Sequence, residues 1–286
     1  MILVKMKTVF NTGKIECAYK VSTDYEMNPM HIHDVYEIYM VQSSGVKILV
    51  NNQLYDLECG NVMLFSNKDL HKVSIPKKTP YQRYVITFSP EILNQNERAE
   101  LLRCFDNTDM QHNHKLQLTP EEQNTLIAYI RDLQDEQRQQ QLSQLGQQLA
   151  LCRILVFLNR VCLQRQQQLP VPARCQDTRI QTVLEYIDAN YSRQISLEEL
   201  SKLCFLNKYY LCRLFRDRTD FCINDYIVYR RLSEAVILLR KGKRVSDIAR
   251  LCGFTSDTFF ITTFKKQFGM TPYQYMRVVL DGNKHE

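Results

Sequence analysis

Over about the first 110 residues the apolar positions fall into short runs separated by turn signals, and beyond them they recur at helical spacing. Val35 to Val50 alternates, is rich in β-formers and is broken by Ser43-Ser44-Gly45. Asn51-Asn52 marks a turn before Gln53 to Leu57, Gly60 precedes Val62 to Phe65, and Tyr81 to Phe88 follows Pro80. Short strands at this spacing predict an antiparallel barrel or sandwich. The pattern changes at Thr119-Pro120-Glu121-Glu122, a helix start with Pro at the first position and acids in the first turn. Leu126, Ile127, Ile130 and Leu133 continue that helix. After Gln137 to Gln141, a second helix carries Leu142, Leu145, Leu149, Cys152, Val156, Asn159 and Leu163. Their alternating three- and four-residue steps make about three heptads of a coiled-coil seam with one polar slot. Leu151, Leu155, Leu158 and Cys162 form a second stripe on another face. Such a helix either docks on its own domain and offers a seam to a partner, or lies buried in one core.

Gln164 to Asp177, with Pro170 and Pro172, reads as a linker. The remaining chain contains an internal repeat. Leu200-Ser201-Lys202-Leu203-Cys204-Phe205-Leu206 aligns with Ile248-Ala249-Arg250-Leu251-Cys252-Gly253-Phe254. After Thr255 as an inserted residue, Asn207 meets Ser256, Leu211 meets Phe260, Phe215 meets Phe264, Arg216 meets Lys265 and Tyr226 meets Tyr275. Each copy reads as a short helix, a tight turn, a capping Asn or Ser, and a second helix with basic residues toward its end. That is the layout of a helix-turn-helix. Asp225 to Leu239 joins the copies as one long helix, with Ile227, Leu232, Ala235, Val236 and Leu239 as inner positions.

Composition narrows the function. The 286 residues suffice for two cores, and 44% hydrophobic with 24% charged residues is an ordinary globular balance. None of the eight glycines is spaced as in a dinucleotide-binding fingerprint or a phosphate-binding loop, which excludes those nucleotide enzymes. The ten cysteines form no Cys-x-x-Cys pair, so a structural zinc site has no support and reduced thiols in the cytoplasm are expected. No export signal stands at the N-terminus. The apolar run Leu149 to Leu163 contains Arg153 and Arg160, so no membrane span or membrane partner is expected. The net charge is +6, and from Gln176 onward 18 Lys and Arg face 13 Asp and Glu, a balance suited to nucleic acid.

Ile180 to Val278 resembles the DNA-binding domain of the AraC family of transcription regulators. The resemblance is carried by Val245-Ser246-Asp247-Ile248-Ala249, Cys252-Gly253-Phe254, Phe259-Phe260 and Phe264-Lys265-Lys266-Gln267-Phe268-Gly269-Met270-Thr271-Pro272. Gly253 supplies the left-handed turn, Ser256 caps the second reading helix, and Thr271-Pro272 opens the last helix. The first copy departs twice, with Phe205 and Asp220 where the family usually has glycine. Phe205 is expected to reshape its turn. In the first copy helix geometry turns Lys208, Tyr209, Cys212, Arg213 and Arg216 outward toward DNA, and the resemblance implies base contacts by Tyr209, Cys212 and Arg213. In the second copy it implies contact by Ser256, Asp257, Thr258, Phe259, Thr262, Lys265 and Lys266. Arg213 is the best base reader, because a guanidinium grips guanine O6 and N7 together. Thr262 stands where many members carry Arg, and Lys265 and Lys266 suit phosphates.

His31-x-His33-x-x-x-Glu37 with the later His71 resembles the cupin barrel that many such regulators carry as a sensor. These four residues are expected to line or prop an effector pocket. If any metal were bound they would be its ligands, although Asn67, Lys68 and Asp69 replace an expected proline and glycine. His112 and His114 read as loop residues. The expected fold is multidomain α and β. A cupin-like β-barrel over residues 1–118 is followed by a helical pair for dimerisation over 119–168 and a linker over 169–178. An all-α domain over 179–280 then carries helix-turn-helix motifs at about 196–217 and 245–268, joined by the long helix. The seam residues Leu142, Leu145, Leu149, Cys152, Val156 and Leu163 are expected to hold a homodimer. The resulting expectation is a cytoplasmic, non-enzymatic transcriptional activator without a cofactor. Its partners would be double-stranded DNA, a small-molecule effector with a sugar as first choice, and RNA polymerase. The alternatives are a metal-dependent cupin enzyme, a dioxygenase or isomerase, with an appended DNA-binding domain, and a ligand-independent regulator whose barrel only dimerises.

Overall fold

The computed structural model describes residues 15–22, 35–51, 53–67, 69, 71–75, 80–105, 114–139, 141–166, 178–219 and 221–282, with the backbone alone for 166 and 278–282. Its first part contains β1 (Ile15–Ser22), β2 (Tyr36–Val41), β3 (Val46–Val50), β4 (Gln53–Leu57), β5 (Asn61–Phe65), β6 (His71–Ser74), β7 (Tyr81–Phe88) and β8 (Lys115–Gln117). They form a five-stranded sheet of order β1-β7-β2-β5-β8 and a three-stranded sheet of order β4-β3-β6, both antiparallel.

The alternation expected for Val35 to Val50 does not hold over β2, which lies mid-sheet and is buried on both faces, so Tyr36 to Val41 need not alternate apolar with polar. Its Tyr36, Ile38 and Met40 share a core with Val62, Leu64, Ile86 and Phe88 under a helical layer. Tyr39 and Val41 instead meet Met63 and Phe65 and face Val46, Ile48 and Val50 of the smaller sheet, enclosing the barrel lumen.

The helical layer consists of α1 (Gln95–Leu101), α2 (Pro120–Glu136) and α3 (Ser143–Gln166). The Thr119 hydroxyl accepts from Glu122 N, while the Glu122 carboxylate accepts from Thr119 N, a reciprocal cap at the start of α2. Leu151, Ile154, Leu155 and Leu158 of α3 are fully buried, and Leu145, Leu149, Val156 and Leu163 are exposed. Both faces of α3 are thus apolar, and among the described residues only one is covered.

Three expectations about this helix need correction. Leu142 stands just before α3 with φ +54°, outside the helical seam. Asn159 does not occupy an open polar slot, because its Nδ2 donates to the carbonyls of Leu101 and Leu155 at 2.9 Å each. Residues Ser143–Arg165 are also long and apolar enough to cross a membrane by length and composition, contrary to expectation. Their inner stripe is part of the domain core. The hydrophobic pattern does not predict β1, β6, β8 or α1. The first three are edge strands, and α1 is a short polar helix started by the Asn94 side chain, which accepts from Asn96 N.

The second part is all helical: α4 (Thr178–Asn190), α5 (Leu197–Leu203), α6 (Lys208–Thr219), α7 (Ile223–Arg240), α8 (Val245–Leu251), α9 (Asp257–Phe268) and α10 (Pro272–Gly282). Ile227, Leu232, Ala235, Val236 and Leu239 of α7 are all buried in one core, with Leu211 and Phe215 of α6 and Phe260 and Phe264 of α9 around it. Buried Arg231 donates from Nε to the Tyr191 carbonyl and from Nη2 to the Arg193 carbonyl, both at 2.8 Å. It satisfies backbone acceptors just past the end of α4, where unpaired carbonyls would be costly. The expected linker begins too early, because α3 runs on to Gln166; residues 167–177, with Pro170 and Pro172, and Asp220 lie outside the described residues.

Candidate functional site

Two helix-turn-helix units flank α7. In the first, Ser196 and Glu199 cap α5 reciprocally, and the Asn207 side chain accepts from Tyr209 N at 2.9 Å and Tyr210 N at 3.1 Å to start α6. Lys208, Tyr209, Arg213 and Arg216 are exposed on one side, with Tyr209 86% exposed. The Arg213 guanidinium lies 5.6 Å from the Tyr210 ring centre, which leaves its donor edge available. Lys208 Nζ is bound to the Glu198 carboxylate, which raises the lysine pKa and lowers the glutamate's. Cys212 corrects the expectation of a fully outward residue. It is half-buried against the helical core, because its place on the helix is next to Leu211.

The turn is corrected too. Phe205 takes φ +54°, and Leu206 N donates to the Ser201 carbonyl at 2.9 Å. In the second copy Gly253 has φ +79°, and Phe254 N donates to the Ala249 carbonyl at the same distance. The turn is therefore kept rather than reshaped, with Phe205 tolerating the left-handed conformation.

In the second unit the Ser256 hydroxyl accepts from Phe259 N at 3.2 Å. Ser256, Asp257, Thr258, Phe259, Lys265 and Lys266 are exposed, as is Thr262. The Thr262 hydroxyl donates back to the Thr258 carbonyl, so its own proton is committed within the helix. Gly269, at φ +76°, ends α9, and Thr271 caps α10 by accepting from Gln274 N at 3.3 Å. Cys252 packs inside this unit, where burial pushes its thiol up to about 12 and keeps it protonated.

The barrel lumen holds the other polar group. Glu37 faces inward opposite Phe65 and Thr87. Its Oε2 stands 3.4 Å from His71 Nε2, with both side chains buried. His71 lies flat on the Phe65 ring, with centroids 4.0 Å apart and planes 4° apart. His71 Nδ1 is 3.2 Å from the Asp69 carbonyl, which only accepts, so Nδ1 is the donor. His31 and His33 lie outside the described residues, so the four-residue set is not brought together among them. Among the described residues, no three His, Cys, Asp or Glu side chains cluster as a metal site.

Two further residues belong to this region. Tyr39, two residues beyond Glu37 on the same strand face, is 5% exposed, and its hydroxyl finds no partner. A buried hydroxyl without a partner is costly. In the sequence, the alternation Glu37-x-Tyr39 is the signal for it. His114 lies in the loop just before β8, as expected, but does not face solvent. It is buried, with Nδ1 3.1 Å from the Leu64 carbonyl and 3.7 Å from Asp69 Oδ2, because the chain returns at β8 to cover β5. His112 lies outside the described residues.

A β-barrel whose mainly apolar lumen holds Glu37 and His71, joined to a helical domain that presents two helix-turn-helix units, defines a transcription regulator with a ligand-binding and a DNA-binding domain. The model of the AraC-like ligand binding domain matches residues 12–155, and that of a helix-turn-helix domain matches residues 200–277. The chain belongs to the AraC family of transcription regulators. It is 24% identical over 250 residues to the HTH-type transcriptional activator RhaR of Mannheimia succiniciproducens, covering 86% of each chain. It is 35% identical over 97 residues to the regulatory protein SoxS of Salmonella typhimurium, covering 34% of this chain and 91% of SoxS. The crystal structure of ToxT from Vibrio cholerae O395 aligns with 15% identity and a TM-score of 0.39, covering 93% of this chain and 98% of ToxT.

Proposed function

We propose that the protein is a dimeric, cytoplasmic activator of transcription that responds to a small polyhydroxylated effector, a sugar, held in the barrel lumen. The observation that carries the DNA-binding part is the shared outward exposure of Tyr209, Arg213 and Arg216 on α6 and of Phe259, Thr262, Lys265 and Lys266 on α9. Arg213 reads bases and Lys265 and Lys266 hold phosphates. The activator RhaR as a relative supports the sign of regulation and RNA polymerase as a partner. Glu37, His71 and the Tyr39 hydroxyl, beside the Phe65 ring, supply hydrogen bonds and an aromatic face of the kind a sugar uses. The stripe Leu145, Leu149, Val156 and Leu163 seats a second copy of α3.

The test is binding of the full chain to promoter duplexes as salt is varied. Counterion release makes affinity fall steeply with salt. A chain that shifts no duplex even at low salt overturns the proposal. Light scattering of Leu149→Asp checks the seam, since a charge there converts a dimer to a monomer. A monomeric unsubstituted chain refutes it.

A further inference from the structure

An unbroken series of polar contacts runs from the barrel lumen to α7, the helix that joins the two reading units. Glu37 Oε2 meets His71 Nε2 at 3.4 Å, and His71 Nδ1 donates to the Asp69 carbonyl at 3.2 Å. Asn51 Nδ2 donates to Asp69 Oδ1 at 2.9 Å, and the Tyr226 hydroxyl donates to the Asn51 carbonyl at 2.7 Å. Tyr226 lies in the first turn of α7. At the far end of the same helix, Arg240 Nη1 donates to the Asn67 carbonyl at 2.7 Å, while Nε and Nη2 reach the Tyr275 hydroxyl of α10.

The barrel therefore holds α7 at both ends, about 21 Å apart at the helical rise. The two grips come from different turns, Asn51 following β3 and Asn67 following β5. Asp69 ties them together. Its Oδ2 accepts from Ser66 N and Ser66 Oγ at 2.7 Å each, fixing the turn that carries Asn67, and its Oδ1 holds Asn51. The contact is also packed. Leu49 and Leu54, from the outer face of the smaller sheet, join the helical core, and Lys72 Nζ lies 3.9 Å from the Phe221 ring centre.

We propose that Asp69 is a positioning residue that couples the lumen to both ends of α7, so that a change at Glu37 or His71 alters the setting of the two reading helices. This rests on the reading of the lumen as the effector site. An effector hydroxyl that donates to Glu37 changes what faces the Nε2 edge of His71, 3.4 Å from that carboxylate. The other edge is bonded to the Asp69 carbonyl, so Asp69, Asn51 and the Tyr226 grip respond together. DNA binding responds only in so far as the effector favours one arrangement of these contacts over the other.

The test is a double-mutant cycle on the full chain with no effector present, reading the dissociation constant for a duplex obtained by binding-site selection. Glu37→Gln alters the lumen end. Tyr226→Phe removes only the hydroxyl and keeps the ring packed against Phe215 and Phe221. Asn51→Gly cuts the middle link while accommodating the φ of +50°. Glu37→Gln should change the constant by about threefold or more in the unsubstituted chain, and by less than about 1.5-fold in either the Asn51→Gly or the Tyr226→Phe background. Independent structural damage would instead multiply. The coupling is overturned if Glu37→Gln keeps its full effect in both backgrounds, or has none to begin with. His71→Gln cuts the same end and must give the same pattern should Glu37→Gln fail to fold. The effector reading is checked separately, by protection of the chain against heat with a panel of monosaccharides. A protected chain whose cycle multiplies keeps the effector and loses the coupling; an unprotected chain whose cycle converges keeps the coupling and loses the sugar.

Discussion

Phe205 and Gly253 occupy the same place in two copies of one motif, with φ of +54° and +79° and matching hydrogen bonds across the turn. What surrounds them differs. A Cβ on Gly253 would stand 2.6 Å from the carbonyl oxygens of Tyr191 and Ser192, backbone that cannot move aside. Phe205 is 96% exposed, so nothing hinders its side chain. The turn geometry belongs to the motif, whereas the demand for glycine belongs to the neighbour. A left-handed conformation costs a residue with a side chain about 1–2 kcal/mol. The first copy carries that strain. The second would add a collision to it.

The most damaging test of this contrast is Gly253→Ala. Strain and overpacking together should destabilise the chain by about 2–4 kcal/mol, read as a fall in the thermal midpoint. A fall no larger than that of an ordinary surface substitution would show that the end of α4 yields.

The reading faces differ as well. Arg213 has no counterpart on α9, where the Thr262 hydroxyl donates to its own helix. Arg213→Ala should weaken specific binding by about 10- to 100-fold and relax one or two positions of a half-site, on a scale of about 1–3 kcal/mol per bidentate contact. Thr262→Ala should change little. Lys266→Ala should weaken all sequences alike and lower the salt slope by about one. Binding-site selection at fixed salt separates the three. A preferred sequence altered by Thr262→Ala and not by Arg213→Ala would reverse the ranking of the two copies.

Phe205→Gly should alter stability by less than about 1 kcal/mol, toward greater stability, because relieved strain is partly offset by a freer unfolded chain. Calorimetry beside Gly253→Ala would show the asymmetry directly. A clear loss would mean that Phe205 packs on something.

The smallest effect concerns the caps of the leading helices. Hydrogen bonds from Arg193 and Tyr186 hold the Glu199 carboxyl down at about 2, and Glu199 caps α5. α8 begins at Arg244 with no side-chain cap. A depressed carboxyl stabilises the fold above its unfolded value of about 4.3, and that contribution is lost as pH falls through about 2. Amide protection in α5 should therefore decline relative to α8 over that window. Equal decline in both helices would remove the cap from the account.

Local chemistry makes much of the molecule legible in its sequence. The repeat, its capping Asn207 and Ser256, the Pro-led starts of α2 and α10 and the two apolar faces of α3 are patterns within a few residues of one another. Short-range physics of propensity, capping and periodicity decides them. The family resemblance rests on the same local runs. Pairings between distant residues are not legible in this way. Tyr39 and His114 matter because β5 lies between β2 and β8, and Asp69 because its turn meets that of Asn51. The seating of Asn51 and Asn67 on opposite ends of α7 joins segments more than half the chain apart. Such contacts are set by how sheets and helices stack to cover apolar surface, a property of the whole chain. The sequence by itself determined most of the strands and helices and the repeat that makes the two helix-turn-helix units. Only the tertiary structure decided which buried polar groups share a lumen, and that this lumen is bonded to the helix between the reading units.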